Sequence, residues 1–282
     1  MPFTTLAGID FTSRPTRRKP ITVAIGQSDG ASVRLARLDR HVSFESFAAW
    51  LRTPGPWLGA FDFPFGLPRE LVEALGWPRE WRALMEFYAS LSREQIRATF
   101  AAFCDARPVG RKFAHRACDL PAGSSPSMKW VNPPVAYMLH EGVPLLIAAG
   151  VHMPALHEGD ATRVALEAYP GLLARELIGA RSYKSDAVAK QTAERLIARK
   201  DLIEALEQGR TRLGLRLRLT HAQRDALAAD ASGDELDAVL CLVQAAWAAR
   251  EPGYGLPAQI DPLEGWIVSA GNPAPSAAPL RG

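Results

Sequence analysis

The stretch Ser232–Ala249, SGDELDAVLCLVQAAWAA, decides how the chain is read. Leu236, Val239, Leu240, Val243 and Trp247 recur at the spacing of one helical face, which predicts a helix made to be buried. Two aspartates, Asp234 and Asp237, stand at its start. Three positions apart on a helix differ by about 60° of rotation, so both lie on one side. Ser232 and Glu235 fit a capping box, S-x-x-E, which leaves neither aspartate needed as a cap. The remaining residues on the aspartates' side are Ala238, Cys241, Ala245 and Ala248. Small residues let a helix press closely on a sheet, and the two carboxylates would then reach the ends of its strands.

Working outward, the chain supplies strands for such a sheet. Leu6 to Asp10 is a short apolar run ending in an acid. Ile21–Gly26 and Ser32–Leu38, joined through Ser28-Asp29-Gly30, read as a hairpin. Ser43–Leu51 has helical spacing. Trp57–Phe61 is a further strand, ending at Asp62, and Arg163–Glu167 another. Helices are expected at Pro68–Leu75, Pro78–Tyr88, Ser92–Phe103, around Val135–His140, at Leu172–Ile178, Asp186–Leu206 and Thr220–Ala228. Pro144–Ala149 is an apolar segment, and Gly265–Val268 reads as an edge strand or a tucked turn. The fold class is therefore α/β. We divide it into a core at 1–67 and 160–270, a helical and irregular insertion at 68–159, and a flexible tail at 271–282.

Asp10, Asp62 and Glu167 each end a strand, and strand ends in α/β sheets are where ligands usually sit. Joined by Asp234 and Asp237, they would form an all-oxygen site suited to Mg²⁺ or Mn²⁺. Clustered carboxylates repel one another, and a divalent cation is their natural counter-charge. Taken singly, each has a plainer reading: Asp62 as a turn acid before Pro64, Asp10 as the start of a solvated turn, the helix acids as partners of the macrodipole. Their recurrence at element ends favours the site.

The 282 residues are 48% hydrophobic, enough for a sizeable core, and a net charge of +3 permits a nucleic-acid partner without demanding one. Three cysteines cannot make a disulfide framework, and no apolar run reaches membrane-spanning length. The expected compartment is the cytoplasm.

The motifs GID (Gly8–Asp10), FDFPFGLP (Phe61–Pro68), EAYP (Glu167–Pro170), GDELDA (Gly233–Ala238) and EGWI (Glu264–Ile267) occur in that order. Together they resemble the family called domain of unknown function 429, described as predicted nucleases of ribonuclease H-like fold. The resemblance covers almost the whole chain up to Ile267. It implies a mixed sheet, three antiparallel strands followed by parallel ones, with the last helix across one face. It also implies two metal ions held by Asp10, Asp62, Asp237 and Asp234, with Glu167 as a further ligand. The expected activity is metal-dependent phosphodiester hydrolysis, with no nucleophilic side chain required. Nucleic acid, DNA or RNA, is the expected partner.

Basic residues offer candidate substrate contacts. Lys184, in RSYKSD, reads as a phosphate contact or a solvated lysine. Arg107, Arg111, Lys112, Arg116 and Lys129 lie in one irregular stretch with Trp130, which would track a backbone and stack a base, or else form a solvated loop. Two rivals stay open. A phosphotransferase of the sugar-kinase and actin-like superfamily would need a glycine-bearing phosphate hairpin after the first acid, where this chain has Phe11-Thr12-Ser13-Arg14. A non-catalytic nucleic-acid-binding protein would carry a degenerate site.

Overall fold

The computed structural model describes residues 3–271. The expected tail lies, beyond Gly271, outside the described residues. The first three strands, β1 (Thr5–Asp10), β2 (Ile21–Ser28) and β3 (Ser32–His41), form an antiparallel meander. Its hairpin turn is fixed by the Asp29 carboxylate, which accepts from the backbone of Ala31 and Ser32. Gly30 takes a positive φ there. Helix α1 (Phe44–Leu51), capped by Ser43, leads to β4 (Trp57–Phe61), which pairs parallel with β1. Helices α2 (Arg69–Ala74), α3 (Trp81–Ser90), α4 (Arg93–Asp105), α5 (Asp119–Ala122) and α6 (Val135–Ala148) follow. Then come β5 (Val151–His152), β6 (Asp160–Glu167), α7 (Pro170–Ile178), α8 (Ala193–Glu207), β7 (Arg216–Arg218), α9 (His221–Ala229) and α10 (Asp234–Ala248). The seven strands lie in the order β5-β6-β4-β1-β2-β3-β7. The fold is thus α/β, a mixed sheet of antiparallel then parallel strands flanked by helices.

The alternation of each strand sends its side chains into two apolar layers. Leu6, Ala24, Leu58 and Leu166 pack with α7, α8, α9 and α10 on one face. Ala7, Ile9, Val23 and Phe61 pack on the other with α1, α3, α4 and α6. The inserted helices therefore share one continuous core with the sheet. The insertion also supplies a strand, β5, at the sheet's edge.

Several expectations are corrected. Pro144 does not separate two segments; α6 runs through it, its ends at Val135 and Ala148. The charged helix expected from Asp186 begins at Ala193, after a short 3-10 turn at Val188–Lys190. Leu217 anchors β7, a strand that the sequence reading did not include, which extends the sheet beyond β3. Of the two readings of Gly265–Val268 the tucked turn is the one found, with Ile267 bridging to Glu167 in parallel sense.

The largest correction concerns the cap of α10. Gly233, at φ 78°, is its N-cap, and no side chain of the cap residue bonds the helix. Asp230 does the work instead. Its carboxylate accepts from the Ser232 amide and hydroxyl and from the Glu235 amide. Glu235 turns outward to Arg40. The capping box fails because the chain enters the helix through a left-handed glycine, which leaves the Ser232 hydroxyl accepting only a long bond, 3.4 Å, from the Asp234 amide and none from Glu235.

Helix α10 is buried all round rather than on one face. It crosses β1 so closely that a Cβ on Gly8 would stand 2.0 Å from both the Ala238 oxygen and the Leu242 nitrogen. Glycine on the strand and Ala238 and Cys241 on the helix make this approach possible. Two sequence elements from opposite ends of the chain are thereby locked in register.

Candidate metal centre

That register brings the acids together. Asp10 ends β1, and Asp62 follows β4, its amide donating to the Ile9 carbonyl at 2.9 Å and extending the parallel ladder by one residue. The side chains of Phe61, Phe63 and Phe65 all enter the apolar layer below, with neighbouring ring centroids 5.9 and 5.2 Å apart. This aromatic series pins the backbone around Asp62. Asp237, one turn into α10, completes the set. One carboxylate oxygen from each of Asp10, Asp62 and Asp237 lies within 4.8 Å of the others. Asp237 is fully buried, Asp10 nearly so, and Asp62 half-buried.

The electrostatics follow from this crowding. Burial first, and then the charges of Asp237 and Asp234, hold the Asp10 carboxyl well above its usual range. Burial and Asp237 push Asp62 up to about 7. Asp237 is treated differently by its surroundings: the Tyr183 hydroxyl and the Lys184 ammonium donate to its two oxygens. Burial opposes the charge on Lys184, but the carboxylates, led by Asp237, outweigh it and hold its pKa high. The segment carrying Tyr183 and Lys184 lies against the start of α10, where a Cβ on Gly233 would come within 2.6 Å of the Lys184 Cβ. Ser185 fixes it further, its backbone amide donating a hydrogen bond to the Ala231 carbonyl at 3.0 Å.

The structure separates the other predicted residues from this group. Asp234 belongs to the rim, where its carboxylate accepts from Lys19 at 2.6 Å. Lys19 also reaches Asp186 at 2.9 Å. Glu167 is not a member. It faces Arg116, whose guanidinium donates to both carboxylate oxygens at 2.6 and 2.7 Å, and it accepts the Phe65 amide at 2.9 Å. Arg116 in turn holds Asp119 at 2.9 Å. The Arg116 side chain is therefore a buried strut between β6 and the segment before α5, and not a substrate contact in a solvated loop. The expectation fails because a buried carboxylate with no cation beside it requires a charged partner.

Two further basic residues of the stretch contact other parts of the protein. Arg107 pairs with Glu70 and caps the Arg111 carbonyl. Lys112 is near Asp105, at 3.9 Å. Trp130 is half-buried against the lower core, its ring centroid 5.8 Å from that of Phe113. Arg111 is exposed and Lys129 half-buried.

Sequence reasoning missed Tyr183 and Lys19. Tyr183 stands beside the flagged Lys184, and an aromatic hydroxyl next to a candidate cation was the available signal. Lys19 had none beyond its place in the basic run after Asp10. Beside the carboxylates opens a cleft of about 540 Å³ whose walls include Asp62, Lys184, Tyr169, Met138 and Arg175. No family model, curated protein or solved structure matches the chain.

Proposed function

We propose that the protein is a metal-dependent phosphodiester hydrolase, a nuclease, built on a ribonuclease H-like sheet. The observation that carries this reading is the convergence of Asp10, Asp62 and Asp237. The donor set suits a hard divalent cation, Mg²⁺ or Mn²⁺, because it is all carboxylate oxygen. The charge balance suits one too. Lys19 is shared between Asp234 and Asp186 at the rim, so Asp10, Asp62 and Asp237, when all are ionised, face Lys184 with an excess equal to the charge of one divalent ion. Asp10 and Asp62 accept no hydrogen bond from any described residue, so their lone pairs are free for a ligand.

Asp10, Asp62 and Asp237 would hold the ion, with Asp234 at the rim. A bound divalent cation supplies charge stabilisation at a scissile phosphate and a nucleophile drawn from water. Tyr183 and Lys184 orient the Asp237 carboxylate, and Lys184 offers a positive charge beside the phosphate position. The sheet order β3-β2-β1-β4-β6 supports the fold reading: an acid on the first strand, an acid after the fourth, and an acid on a helix laid across both. The resemblance to domain of unknown function 429 implies the same arrangement.

A nuclease panel in Mg²⁺ and in Mn²⁺, run beside Mn²⁺ calorimetry, tests this reading. We expect cleavage and metal binding in the wild type, and loss of both in Asp10→Asn and Asp237→Asn. A wild type that neither cleaves nor binds metal refutes the reading. Cleavage undiminished in both variants does so as well.

A further inference from the structure

We propose that the cleft beside Asp62 and Lys184 receives the base of one unpaired nucleotide, which makes the substrate single-stranded or frayed nucleic acid rather than intact duplex. The inference rests on the nuclease reading for the identity of the neighbouring phosphate, but its evidence is the cleft itself. At about 540 Å³ the cavity falls among small-ligand sites of roughly 300–1,000 Å³. It has no room for a double helix.

The walls are suited to a base and its phosphate. Pro64, Met138 and Ala174 contribute apolar surface. Tyr169, the residue before α7, contributes an aromatic ring. Two glycines make room for it and for its partner. A Cβ on Gly171 would lie 2.5 Å from the Tyr169 ring, and one on Gly123 would lie 1.9 Å from the Arg175 guanidinium. Arg175 donates to the Gly123 carbonyl at 2.9 Å and to the Tyr169 hydroxyl at 3.3 Å. The ring and the guanidinium therefore hold each other in place.

Arg175 has no carboxylate partner among the described residues. This sets it apart from Arg181, which also lines the cleft and is paired with Asp201 at 2.6 Å. An uncompensated cation, Arg175, thus lines the same cleft as Asp62 and Lys184, with Tyr169 hydrogen-bonded to it. A nucleotide matches these features: a phosphate beside Lys184, the flat face of a base on the apolar lining and Tyr169, and a second phosphate near Arg175. Bases stack on aromatic rings when they are free of a partner strand, and stacking of this kind tolerates any base. Bases inside a duplex cannot enter without being flipped out. The basic stretch from Arg107 to Lys129 is spent largely on internal contacts, which leaves this cleft as the better-built route for a strand.

The test is fluorescence anisotropy in Ca²⁺ with three labelled probes: a short oligothymidylate, the same strand with one abasic position, and a blunt duplex of equal length. We expect the intact strand to bind at least tenfold more tightly than the other two. Tyr169→Ala should abolish that preference, and Tyr169→Phe should keep it. Arg175→Ala should weaken both single strands and lower the salt slope by about one phosphate contact, roughly 0.7 in log–log slope for a single strand. Equal binding of the abasic strand or of the duplex overturns the proposal. So does a preference that survives Tyr169→Ala. Mn²⁺ calorimetry on the same proteins separates the two readings. Base preference without Mn²⁺ binding refutes the metal centre alone, and Mn²⁺ binding without base preference refutes the cleft alone.

Discussion

Replacing Asp62 with asparagine should make the metal-free protein more stable at alkaline pH. Its carboxyl is raised from 3.8 to about 7, first by burial and then by Asp237. Between those values the folded protein keeps a proton that the unfolded chain has released. Stability therefore falls as pH rises through this window and levels off above about 7. At about 1.4 kcal/mol per pKa unit the full penalty at pH 8 has a ceiling of about 4 kcal/mol. The carboxyl is half-buried, so solvent screening reduces this, and we expect about 1–2 kcal/mol. Asparagine has nearly the same shape and breaks no hydrogen bond among the described residues. The measurement is thermal unfolding of wild type and Asp62→Asn in EDTA at pH 5 and pH 8. The variant should gain about 2–8 °C on wild type at pH 8 and much less at pH 5. Adding Mn²⁺ should raise the wild type, by about 2.7 kcal/mol at a hundred times its dissociation constant, and leave the variant nearly unchanged. A gap between the two proteins that is the same at both pH values would refute the electrostatic reasoning.

Other substitutions probe the supports of the site. Gly8→Ala forces α10 away from β1, because the added carbon meets backbone at 2.0 Å; urea denaturation should show a loss of about 3 kcal/mol, and calorimetry a Mn²⁺ affinity at least tenfold weaker. Arg116→Met strands Glu167 and Asp119 without their cation and should cost about 3–5 kcal/mol, with much of it recovered in Arg116→Met combined with Glu167→Leu and Asp119→Leu; a loss below about 1 kcal/mol would mean the strut is dispensable. Lys184→Met removes the internal counter-charge of Asp237. Its metal-free melting temperature should drop, and its gain on adding Mn²⁺ should exceed that of wild type; an equal gain would show that Lys184 does not balance the cluster.

The strands, the hairpin turn and the acids at strand ends were legible because they obey local rules. Short apolar runs mark β1 to β4, Asp29-Gly30 marks the turn, and Asp10, Asp62 and Asp237 recur at the ends of apolar elements, a pattern that no single local reading explains. The small side of α10 also declared itself through Ala238 and Cys241. What stayed hidden depends on partners far along the chain. Glu167 has the same local pattern as Asp62, and only the arrival of Arg116 makes it structural. Ser232 matched a cap motif, but the left-handed Gly233 gave that task to Asp230. β5 and β7 are two and three residues long, too short for periodicity to register, and the sheet edges beside them determine their pairing.

The crossing of α10 over Gly8 also has a temporal meaning. Asp10 and Asp62 can meet once β1 and β4 pair, but the third carboxylate is made near the other end of the chain. A nascent or partly unfolded molecule thus has two acids in place and no complete centre. Closing so long a loop is among the slower, entropically demanding steps of assembly. The carboxylate cluster is therefore incomplete during synthesis, and the docking of a single helix completes it.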